Sequence, residues 1–587
     1  MTVKNNNWHL HGFPGGIELP ERKERASDSA IETLPLPPLL VLPLRQHNGL
    51  PALPVVQEGD CVHRGQLIGR AAEGRSAALH APADGVVSFI GYHAYPNDSG
   101  LTELCIGLCT DEIGSIDEEE MVDDIDLSEE DMRERIAMAG IVGLGGAGFP
   151  SADKLTRNPV KWLIINGAEC EPYISCDDRL MRERSAAIVN GAQILGRLLR
   201  AEKILLAIED NKPDAIAAMA DACFETHIEL VVIPARYPSG AQKQLVQNLL
   251  GIEVPSGQHS VDIGIVMYNT GTCYAVARAV AHSEPLISRI VTVSGDAIER
   301  PGNYEVLIGT PIEYLLQSAC VNPNKLRRVI LGGPIMGIAI NDLAAPVTKL
   351  TNCLIGSGPG ELDEELSARE CIRCGDCVEV CPASLMPQQL YWTIKSEQHA
   401  RAAALHLGDC IECGACAYVC PSHIPLVHYY RHGKSVLWAA DQQRTGANHA
   451  RARFEAREER LEFQQNARTS AQSARSSVHH YESESVADAA SPDAADLTIM
   501  PLEPDAAAVA AAGMATETIA KTLKTAAVTG AHNDRMPEVL AAAQRARTKR
   551  ANAAAHSAPD SAPGSAPTTG TEPDRANIAP YSDKDKT

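Results

Sequence analysis

The sequence is short of basic residues. Its 587 residues include 52 lysines and arginines against 75 aspartates and glutamates, which gives a formal net charge of -23 at pH 7. A protein that binds nucleic acid needs a basic face to contact the phosphates. The charge balance therefore argues against DNA or RNA as a partner.

Long apolar runs are also missing. The opening MTVKNNNWHLHG has no apolar stretch of the kind found in signal peptides, and the run LPLPPLLVLPL is short and interrupted by prolines. A membrane-spanning helix needs about 20 apolar residues. We therefore expect no segment to cross a bilayer. Without a signal peptide we expect a reducing compartment, where the 17 cysteines bind metal rather than form disulfides.

The sequence lacks a recognisable Ser-His-Asp or Cys-His arrangement, so no residue is predicted to act by acid/base catalysis.

The length of the chain allows roughly three to five domains, and its pattern of predicted strands and helices indicates a multidomain α/β and α+β fold. The predicted parts are an N-terminal segment (1–33), a β sandwich (34–110), an acidic linker (111–131), an α/β domain (132–284), a β-rich domain with a helix (285–350), a cysteine-rich domain (362–432), a helix (448–470) and an Ala-rich disordered tail (471–587). A docking strip for a basic partner is the alternative interpretation of the acidic linker.

The cysteine motifs CIRCGDCVEVCP and CIECGACAYVCP give the strongest signal. Both have the C-x2-C-x2-C-x3-C-P spacing of bacterial ferredoxins, in which the fourth cysteine of each motif binds the other cluster. The predicted ligands are Cys371, Cys374, Cys377 and Cys420 for one [4Fe-4S] cluster, and Cys410, Cys413, Cys416 and Cys381 for the second. Zinc sites usually use paired C-x2-C motifs, so iron is favoured over zinc. The other nine cysteines lack such a spacing and are interpreted as small buried residues.

The glycine loop GLGGAGFPSADKL matches G-x-G-x-x-G, but a Rossmann loop follows a strand and opens a long helix. Here a helical pattern comes before the loop and Pro150 follows it, so we reject the Rossmann interpretation. Two alternatives remain, a bare turn and a cradle of backbone amides for an anion, with Lys154 adding charge.

Several segments resemble known families. Residues 34–110 resemble the biotinyl/lipoyl sandwich, without a lysine to carry the cofactor, and residues 285–350 resemble β-grasp (SLBB-type) domains. The glycine loop, INGAECEPYISCDDRLM and VMYNTGTCYAV resemble the flavin- and NADH-binding subunit of respiratory complex I, in which three such segments enclose FMN. This resemblance assigns cofactor binding to Gly143, Gly145, Gly146, Gly148, Lys154, Asn166, Glu169, Glu171, Asn269 and Thr272.

Two departures from complex I concern the charge and length of these segments. Leu144 stands where complex I usually has arginine, and EPYISCDDR is one residue longer than its counterpart, which leaves the roles of Asp178 and Arg179 open. The resemblance implies that Glu169 and Glu171 orient the nucleotide by hydrogen bonds, with solvated loop carboxylates as the alternative. The opening HGFPGGIELP is interpreted as a loop, with a ligand-lining role as its alternative.

The order of the parts, from HGFPGGIELPERK to the Ala-rich tail, resembles the C subunit of the Rnf electron-transport complex, also called Rsx, over about residues 8 to 435. The resemblance implies a peripheral subunit on the cytoplasmic face of the bacterial inner membrane. Such a subunit passes electrons between NADH and two [4Fe-4S] clusters by way of FMN. Its partners are the other membrane and iron-sulfur subunits, which translocate the ion, and ferredoxin is a further partner. The alternatives are an iron-sulfur relay without flavin and a soluble flavin-cluster subunit of an NAD-linked dehydrogenase.

Overall fold

The computed structural model of the chain describes residues 8–97, 99–110, 127–362 and 367–487. Within these ranges no helix is both long and apolar enough to cross a membrane. The chain divides into two compact units, residues 1–463 and 464–587. The predicted acidic linker lies outside the described residues up to residue 126, and the predicted disordered tail lies outside them from residue 488.

The N-terminal part contains a short helix, a short strand and a β sandwich. The first two are α1 (Glu24–Ser27) and β1 (Glu32–Thr33). The sandwich strands are β2 (Leu39–Pro43), β3 (Leu53–Pro54), β4 (Cys61–Val62), β5 (Leu67–Arg70), β6 (Leu79–His80), β7 (Gly85–Ala94) and β8 (Thr102–Thr110). They form two sheets, of order β2-β8-β7-β4 and β3-β5-β6. Apolar pairs such as Leu42 and Ile106 lie opposite each other and are fully buried, which is why the predicted sandwich forms.

The α/β domain alternates strands and helices as predicted. It opens with α2 (Glu129–Met138), whose N-cap Ser128 exchanges hydrogen bonds with Asp131 in a capping box. The following elements are a 3-10 helix (Ser151–Lys154), β9 (Trp162–Gly167), α3 (Cys176–Glu183), α4 (Ser185–Leu199), β10 (Lys203–Glu209), α5 (Pro213–Ala222), β11 (Ile228–Ile233), α6 (Gln242–Leu250), a 3-10 helix (Ser260–Ile263), β12 (Ile265–Asn269) and α7 (Thr270–Ala281).

The sheet of this domain is parallel, in the order β11-β10-β9-β12. The chain runs outward from β9 to β11 and then returns to place β12 on the other side of β9. The strand order therefore reverses between β9 and β12. In open α/β sheets, ligands bind outside the carboxyl ends of the strands at such a switch point.

The β-grasp domain has a six-stranded mixed sheet. Its elements are β13 (Ser288–Ser294), β14 (Gly302–Leu307), α8 (Ile312–Ser318), β15 (Arg328–Leu331), β16 (Ile338–Ile340) and β17 (Cys353–Ser357). The sheet order is β1-β14-β13-β17-β15-β16. The sheet thus takes one strand from the N-terminal segment and another from beyond residue 350. The predicted domain bounds of 285–350 left both strands out.

The cysteine-rich domain consists of short helices and loops. Its elements are α9 (Asp376–Glu379), α10 (Pro387–Lys395), α11 (His399–Ala404), a 3-10 helix (Leu407–Asp409), α12 (Ala415–Tyr418) and α13 (Leu426–Ala487). The helices α9 and α12 each follow a glycine with positive φ, Gly375 at 96° and Gly414 at 79°. Such φ values strongly favour glycine, so the repeated Cys-Gly pair sets the same turn in both motifs.

The long helix α13 corrects two predictions from the sequence. It contains the whole predicted helix of residues 448–470 but begins well before it, and it also includes residues 471–487, which were predicted to be disordered. No proline interrupts the sequence between residues 426 and 487, and helix-forming alanine, arginine, glutamate and glutamine are frequent there.

Candidate functional site

The structure brings the eight cysteines of the two motifs together in two groups of four. One cavity, of about 280 Å³, is lined by Cys371, Cys374, Cys377 and Cys420. A second cavity, of about 20 Å³, is lined by Cys381, Cys410, Cys413 and Cys416. Each group contains three cysteines of one motif and the fourth cysteine of the other. Four thiols around one cavity are the donor set that a [4Fe-4S] cluster takes, so the residues fit the predicted cofactor.

The two cysteine groups differ in their surroundings. In the first group Cys374 is exposed, and the neighbouring Ile372 and Trp392 are 68% and 41% exposed. In the second group Cys413 and Cys416 are buried. The first group therefore faces solvent, whereas the second lies under protein.

The α/β domain supplies part of that cover. The side chain of Gln244 in α6 donates a hydrogen bond of 3.1 Å to the carbonyl of Pro382, directly after Cys381. Lys243 forms an ion pair of 3.4 Å with Asp409, directly before Cys410. The second cysteine group is thus held against α6.

The other nine cysteines only partly match their interpretation as buried residues. Five are buried, namely Cys105, Cys176, Cys223, Cys273 and Cys353. Three others, Cys61, Cys109 and Cys320, are exposed, so the expectation was wrong for them. Cys61 lies in the two-residue edge strand β4, and Cys109 is the last but one residue of β8, beyond the buried middle of that strand.

The glycine loop lies beside the switch point of the parallel sheet. It follows α2 and leads into a 3-10 helix, so it is not the strand-loop-helix unit of a Rossmann fold. The loop closes on itself by hydrogen bonds from the Gly143 amide to the Phe149 carbonyl (2.8 Å) and from the Gly148 amide to the Gly143 carbonyl (3.2 Å). Thr272 accepts a hydrogen bond of 3.0 Å from the Leu144 amide, which ties the loop to α7.

The tip of this loop presents backbone rather than side chains. Gly145, Gly146 and Ala147 are exposed, and among the described residues their amides have no protein partner. Gly146 has a φ of 108° with open space where a side chain would stand, and a Cβ on Gly145 would lie 3.2 Å from the Cβ of Asn269. Free amides next to the N-terminus of α7 fit the phosphate of a mononucleotide.

Lys154 lies under the loop. Its ammonium group is 3.4 Å from the Met267 carbonyl and lies over the rings of Phe149 and Tyr268. Burial lowers the pKa of this lysine below its ordinary value. A Cβ on Gly143 would be 3.9 Å from its nitrogen, so its charge lies close to the loop as predicted from the sequence order.

The two predicted asparagines face each other across the switch point. Asn166 at the end of β9 and Asn269 at the end of β12 are paired in the strand register. The amide of Asn166 donates to the Gly240 carbonyl (2.9 Å), and that of Asn269 donates to Asp177 (2.6 Å). Both side chains therefore shape the loops at this edge of the sheet.

Glu169 is more deeply placed than its predicted role requires. Its carboxylate is buried and accepts hydrogen bonds from the amides of Asp177 (2.9 Å) and Asp178 (3.3 Å) at the start of α3. Burial raises its pKa to about 7. The alternative of a solvated carboxylate is wrong for this residue, because its two oxygens are used inside the protein.

Glu171 reaches in the other direction. It accepts hydrogen bonds from the amides of Ile335 (3.3 Å) and Met336 (3.0 Å) in the loop between β15 and β16, and the Tyr237 hydroxyl lies 3.5 Å from it. Burial raises the pKa of Glu171 to about 7. This carboxylate therefore joins the α/β domain to the β-grasp domain.

Three residues at the site were missed by the sequence analysis. Tyr237 and Gly240 lie in the segment RYPSG after β11, and Lys23 lies in the N-terminal ERK. The proline and glycine of YPSG were a turn signal, but only the fold places that turn beside β9. In the segment EPYISCDDR, Asp178 and Arg179 form ion pairs along α3, Asp178 with Arg182 and Arg179 with Glu183.

Four family models match consecutive parts of the chain. They are described as the RnfC barrel sandwich hybrid domain (residues 11–112), the Nuo51 FMN-binding domain (136–278), the SLBB domain (290–339) and the 4Fe-4S dicluster domain (370–424). These matches confirm the predicted fold class. They also confirm the predicted cofactors, FMN and two [4Fe-4S] clusters, as those of the matching domain families.

Curated relatives are similar over most of the chain. The C subunits of the ion-translocating oxidoreductase complexes of Edwardsiella ictaluri (strain 93-146) and Pseudomonas aeruginosa (strain PAO1) are 47% and 48% identical over 78% and 77% of this chain. The chain spans 58% and 59% of the length of these two proteins. It spans 71% of a protein of the same name from Haemophilus influenzae (strain PittEE), at 46% identity.

Among solved structures, a chain of an NAD+-reducing [NiFe]-hydrogenase in the H2-reduced state aligns with a TM-score of 0.37 and 19% identity, covering 49% of this chain and 59% of that one. A likeness at that TM-score carries no weight beside the family matches. The identity to curated relatives and the four domains in their order agree with each other and with the predicted family. The chain therefore belongs to the family of C subunits of ion-translocating oxidoreductase complexes.

Proposed function

We propose that this chain passes electrons between NADH and the partner subunits of a membrane-bound complex, using FMN and two [4Fe-4S] clusters. The observation that carries the proposal is the position of the two cysteine groups. The buried group is held against the α/β domain that contains the glycine loop, and the other group opens to solvent. A relay needs this order, with one end at the electron source and one end accessible to a partner.

The glycine loop is the proposed holder of FMN. The exposed amides of residues 145–147 would receive the phosphate, and Lys154 beneath them would balance its charge. Asn166, Asn269 and Thr272 hold the loops around this crevice in place. FMN, when bound, supplies the conversion between a two-electron hydride and single electrons, which NADH and iron-sulfur clusters respectively require.

Glu169 and Glu171 would orient the nucleotide through the segments that they fix. Glu169 holds the start of α3, and Glu171 holds the loop of residues 332–337 in the β-grasp domain. Neither is proposed as an acid or a base, because the oxygens of both accept hydrogen bonds from backbone amides.

The partners that we propose are the membrane and iron-sulfur subunits of the complex named for the relatives, with ferredoxin as a further electron carrier. Ion translocation would belong to those partners. The chain itself would lie on the cytoplasmic face of the bacterial inner membrane as a peripheral subunit.

The test is anaerobic reconstitution of the full chain with iron, sulfide and FMN, followed by addition of NADH and low-temperature EPR. We expect about eight irons and one FMN per chain, and a reduced-cluster signal after NADH. About eight irons without flavin, and clusters that dithionite reduces but NADH does not, would reject the proposal in favour of a relay without flavin. A soluble dehydrogenase subunit would instead fail to co-purify with membranes.

A glycine substitution distinguishes an anion cradle from a bare turn. Gly146→Ala places a side chain at a φ of 108° in the loop tip, and Gly360→Ala does the same at a φ of 76° in a turn with equally open surroundings. Both variants should lose stability, on the order of 1 kcal/mol. Only Gly146→Ala should weaken FMN binding, as measured by quenching of FMN fluorescence, and equal FMN affinity in the two variants would favour the bare turn.

A further inference from the structure

The N-terminal strap, residues 8–23, runs along the α/β domain from the end of α6 to the candidate flavin site. At its start the indole of Trp8 donates a hydrogen bond of 2.8 Å to the Leu249 carbonyl. Further along, Ile17 and Tyr237 exchange two backbone hydrogen bonds of 2.9 Å. The strap ends with Lys23 directly before α1. It therefore follows the same face of the domain as the segment RYPSG.

The strap also contacts the loop that carries Cys381. The Gly16 amide donates a hydrogen bond of 3.0 Å to the Val380 carbonyl. Gly15 packs so closely that a Cβ there would lie 2.6 Å from the backbone carbonyl of Cys381. The strap thus lies between the second cysteine group and the α/β domain.

Lys23 turns inward at the end of the strap. Its side chain is buried, with the residue 8% exposed, and its ammonium group donates a hydrogen bond to the backbone carbonyl of Glu169. The positive charge of Lys23 favours the ionised forms of Glu169, Glu171 and Glu209. A lysine in such a position loses its hydration and is stable only with negative groups around it.

The other nearby cations have partners of their own, although Glu209, the partner of Lys212, also accepts a hydrogen bond of 3.2 Å from the Glu169 amide. Lys212 forms a buried ion pair of 2.6 Å with Glu209. Arg289 is buried and donates hydrogen bonds to the carbonyls of Lys349 (2.5 Å) and Leu144 (3.3 Å). Of these three cations, Lys23 is the one that donates a hydrogen bond to the backbone between the two proposed nucleotide-orienting glutamates.

We propose that Lys23 is a positioning residue of the flavin site. It fixes the backbone of Glu169 and supplies a positive charge beside the segment of residues 166–172. The inference rests on the proposed function, because it assumes that FMN binds next to this segment. It adds to the site a residue of the N-terminal strap, which lies more than a hundred residues before the flavin-type motifs in the sequence.

The experiment compares three variants of the full chain with both clusters in place. Lys23→Gln removes the charge, Lys23→Arg keeps it, and Arg25→Gln removes a charge from the adjacent helix, where Arg25 pairs with Asp296 and is 52% exposed. We expect Lys23→Gln to bind FMN about tenfold more weakly, which is the low end of the loss found when the hydrogen-bond partners of metal-ligating residues are removed. Lys23→Arg and Arg25→Gln should bind FMN as the unchanged chain does.

The flavin midpoint potential is the second measurement, because a purely structural role would not shift it. Reduced FMN carries an additional negative charge, so loss of a nearby cation should weaken the reduced form more than the oxidised form. If the affinity for reduced FMN falls tenfold more than the affinity for oxidised FMN, the midpoint potential falls by about 30 mV for two electrons. We expect a shift in this direction in Lys23→Gln.

The outcomes separate this inference from the proposed function. An unchanged chain that binds no FMN would reject both. FMN binding and potential in Lys23→Gln equal to those of the unchanged chain would reject only the role of Lys23. If Lys23→Gln does not fold, Lys23→Met takes its place, because methionine keeps an unbranched apolar side chain in the buried position and removes the charge. Weaker FMN binding in Lys23→Met than in Lys23→Arg supports the inference, and equal binding rejects it.

Discussion

The hydroxyl group of Tyr237 donates a hydrogen bond of 2.5 Å to the backbone carbonyl of Cys413. The same hydroxyl lies 3.5 Å from the carboxylate of Glu171. Tyr237 is buried, so this contact is shielded from water. One phenol thereby joins the proposed flavin site to the loop of the second cluster.

Removal of this hydroxyl should slow electron transfer without loss of cofactors. In Tyr237→Phe the Cys413 carbonyl loses its donor, and a hydrogen bond of this kind is worth about 1 kcal/mol. We expect full iron and FMN content, a slightly lower thermal midpoint and slower cluster reduction by NADH in stopped-flow measurements, with unchanged reduction by dithionite. Tyr304→Phe, which removes a similar bond of 2.7 Å to the Arg300 carbonyl, is the control. Equal rates in the two variants would contradict the coupling.

The exchange of the fourth cysteines can be tested by pairs of substitutions. If Cys371 and Cys420 serve the same cluster, Cys371→Ser/Cys420→Ser should retain the other cluster and about four irons. Cys371→Ser/Cys381→Ser should lose both clusters. The measurement is iron and sulfide content with EPR of the dithionite-reduced protein. The exposed Cys61→Ser should keep about eight irons, and the reverse result for the two pairs would show that each motif binds its own cluster.

A side chain in the strap should loosen the second cluster. Gly15 has a φ of 61°, and a Cβ there would meet the backbone of Val380 and Cys381 at 2.6 Å. Gly15→Ala should therefore displace the Cys381 loop and speed the loss of about half the iron to a chelator. Gly12→Ala has a similar φ of 72° with no atom within 4 Å, and it should lose iron at the rate of the unchanged chain. Equal rates in both variants would mean that the strap does not support the cluster.

Glu171 should make stability depend on pH. Burial raises its pKa from the ordinary value of 4.5 to about 7. The protonated form is favoured in the folded state, so its contribution to stability is complete below pH 4.5 and is lost as the pH rises towards 7. The loss amounts to at most about 3 kcal/mol.

We expect Glu171→Gln to weaken this dependence, because its side chain stays neutral. The thermal midpoint of the flavin-free protein, measured from pH 5.5 to 7.5, should fall less than in the unchanged chain, and part of the fall should remain because Glu169 is affected in the same direction. The exposed Glu225→Gln is the control. A fall of the same size in all three proteins would show that Glu171 is not the group responsible.

Much of the fold was predictable because each domain has a local pattern. The alternation of apolar strands and amphipathic helices predicted the α/β domain, and the cysteine spacing predicted a dicluster domain, since both depend on residues close in sequence. The extent of α13 was not predicted, because charged and alanine-rich sequence is compatible with both a helix and a disordered chain. The composition of the β-grasp sheet was missed because β1 and β17 join it from outside the segment that resembles the family.

The candidate site was likewise predictable only in part. The sequence by itself determined the chemistry: thiols in two ferredoxin motifs, a loop of glycines with a lysine after it, and an acidic segment behind a buried strand. Only the tertiary structure decided which of these groups face a ligand and which hold the protein together. It placed Glu169 beneath α3, Glu171 against the β-grasp loop and Lys23 between them. The reason is physical, because burial, hydrogen-bond partners and neighbouring charge depend on segments that are distant along the chain, and a linear pattern carries no record of them.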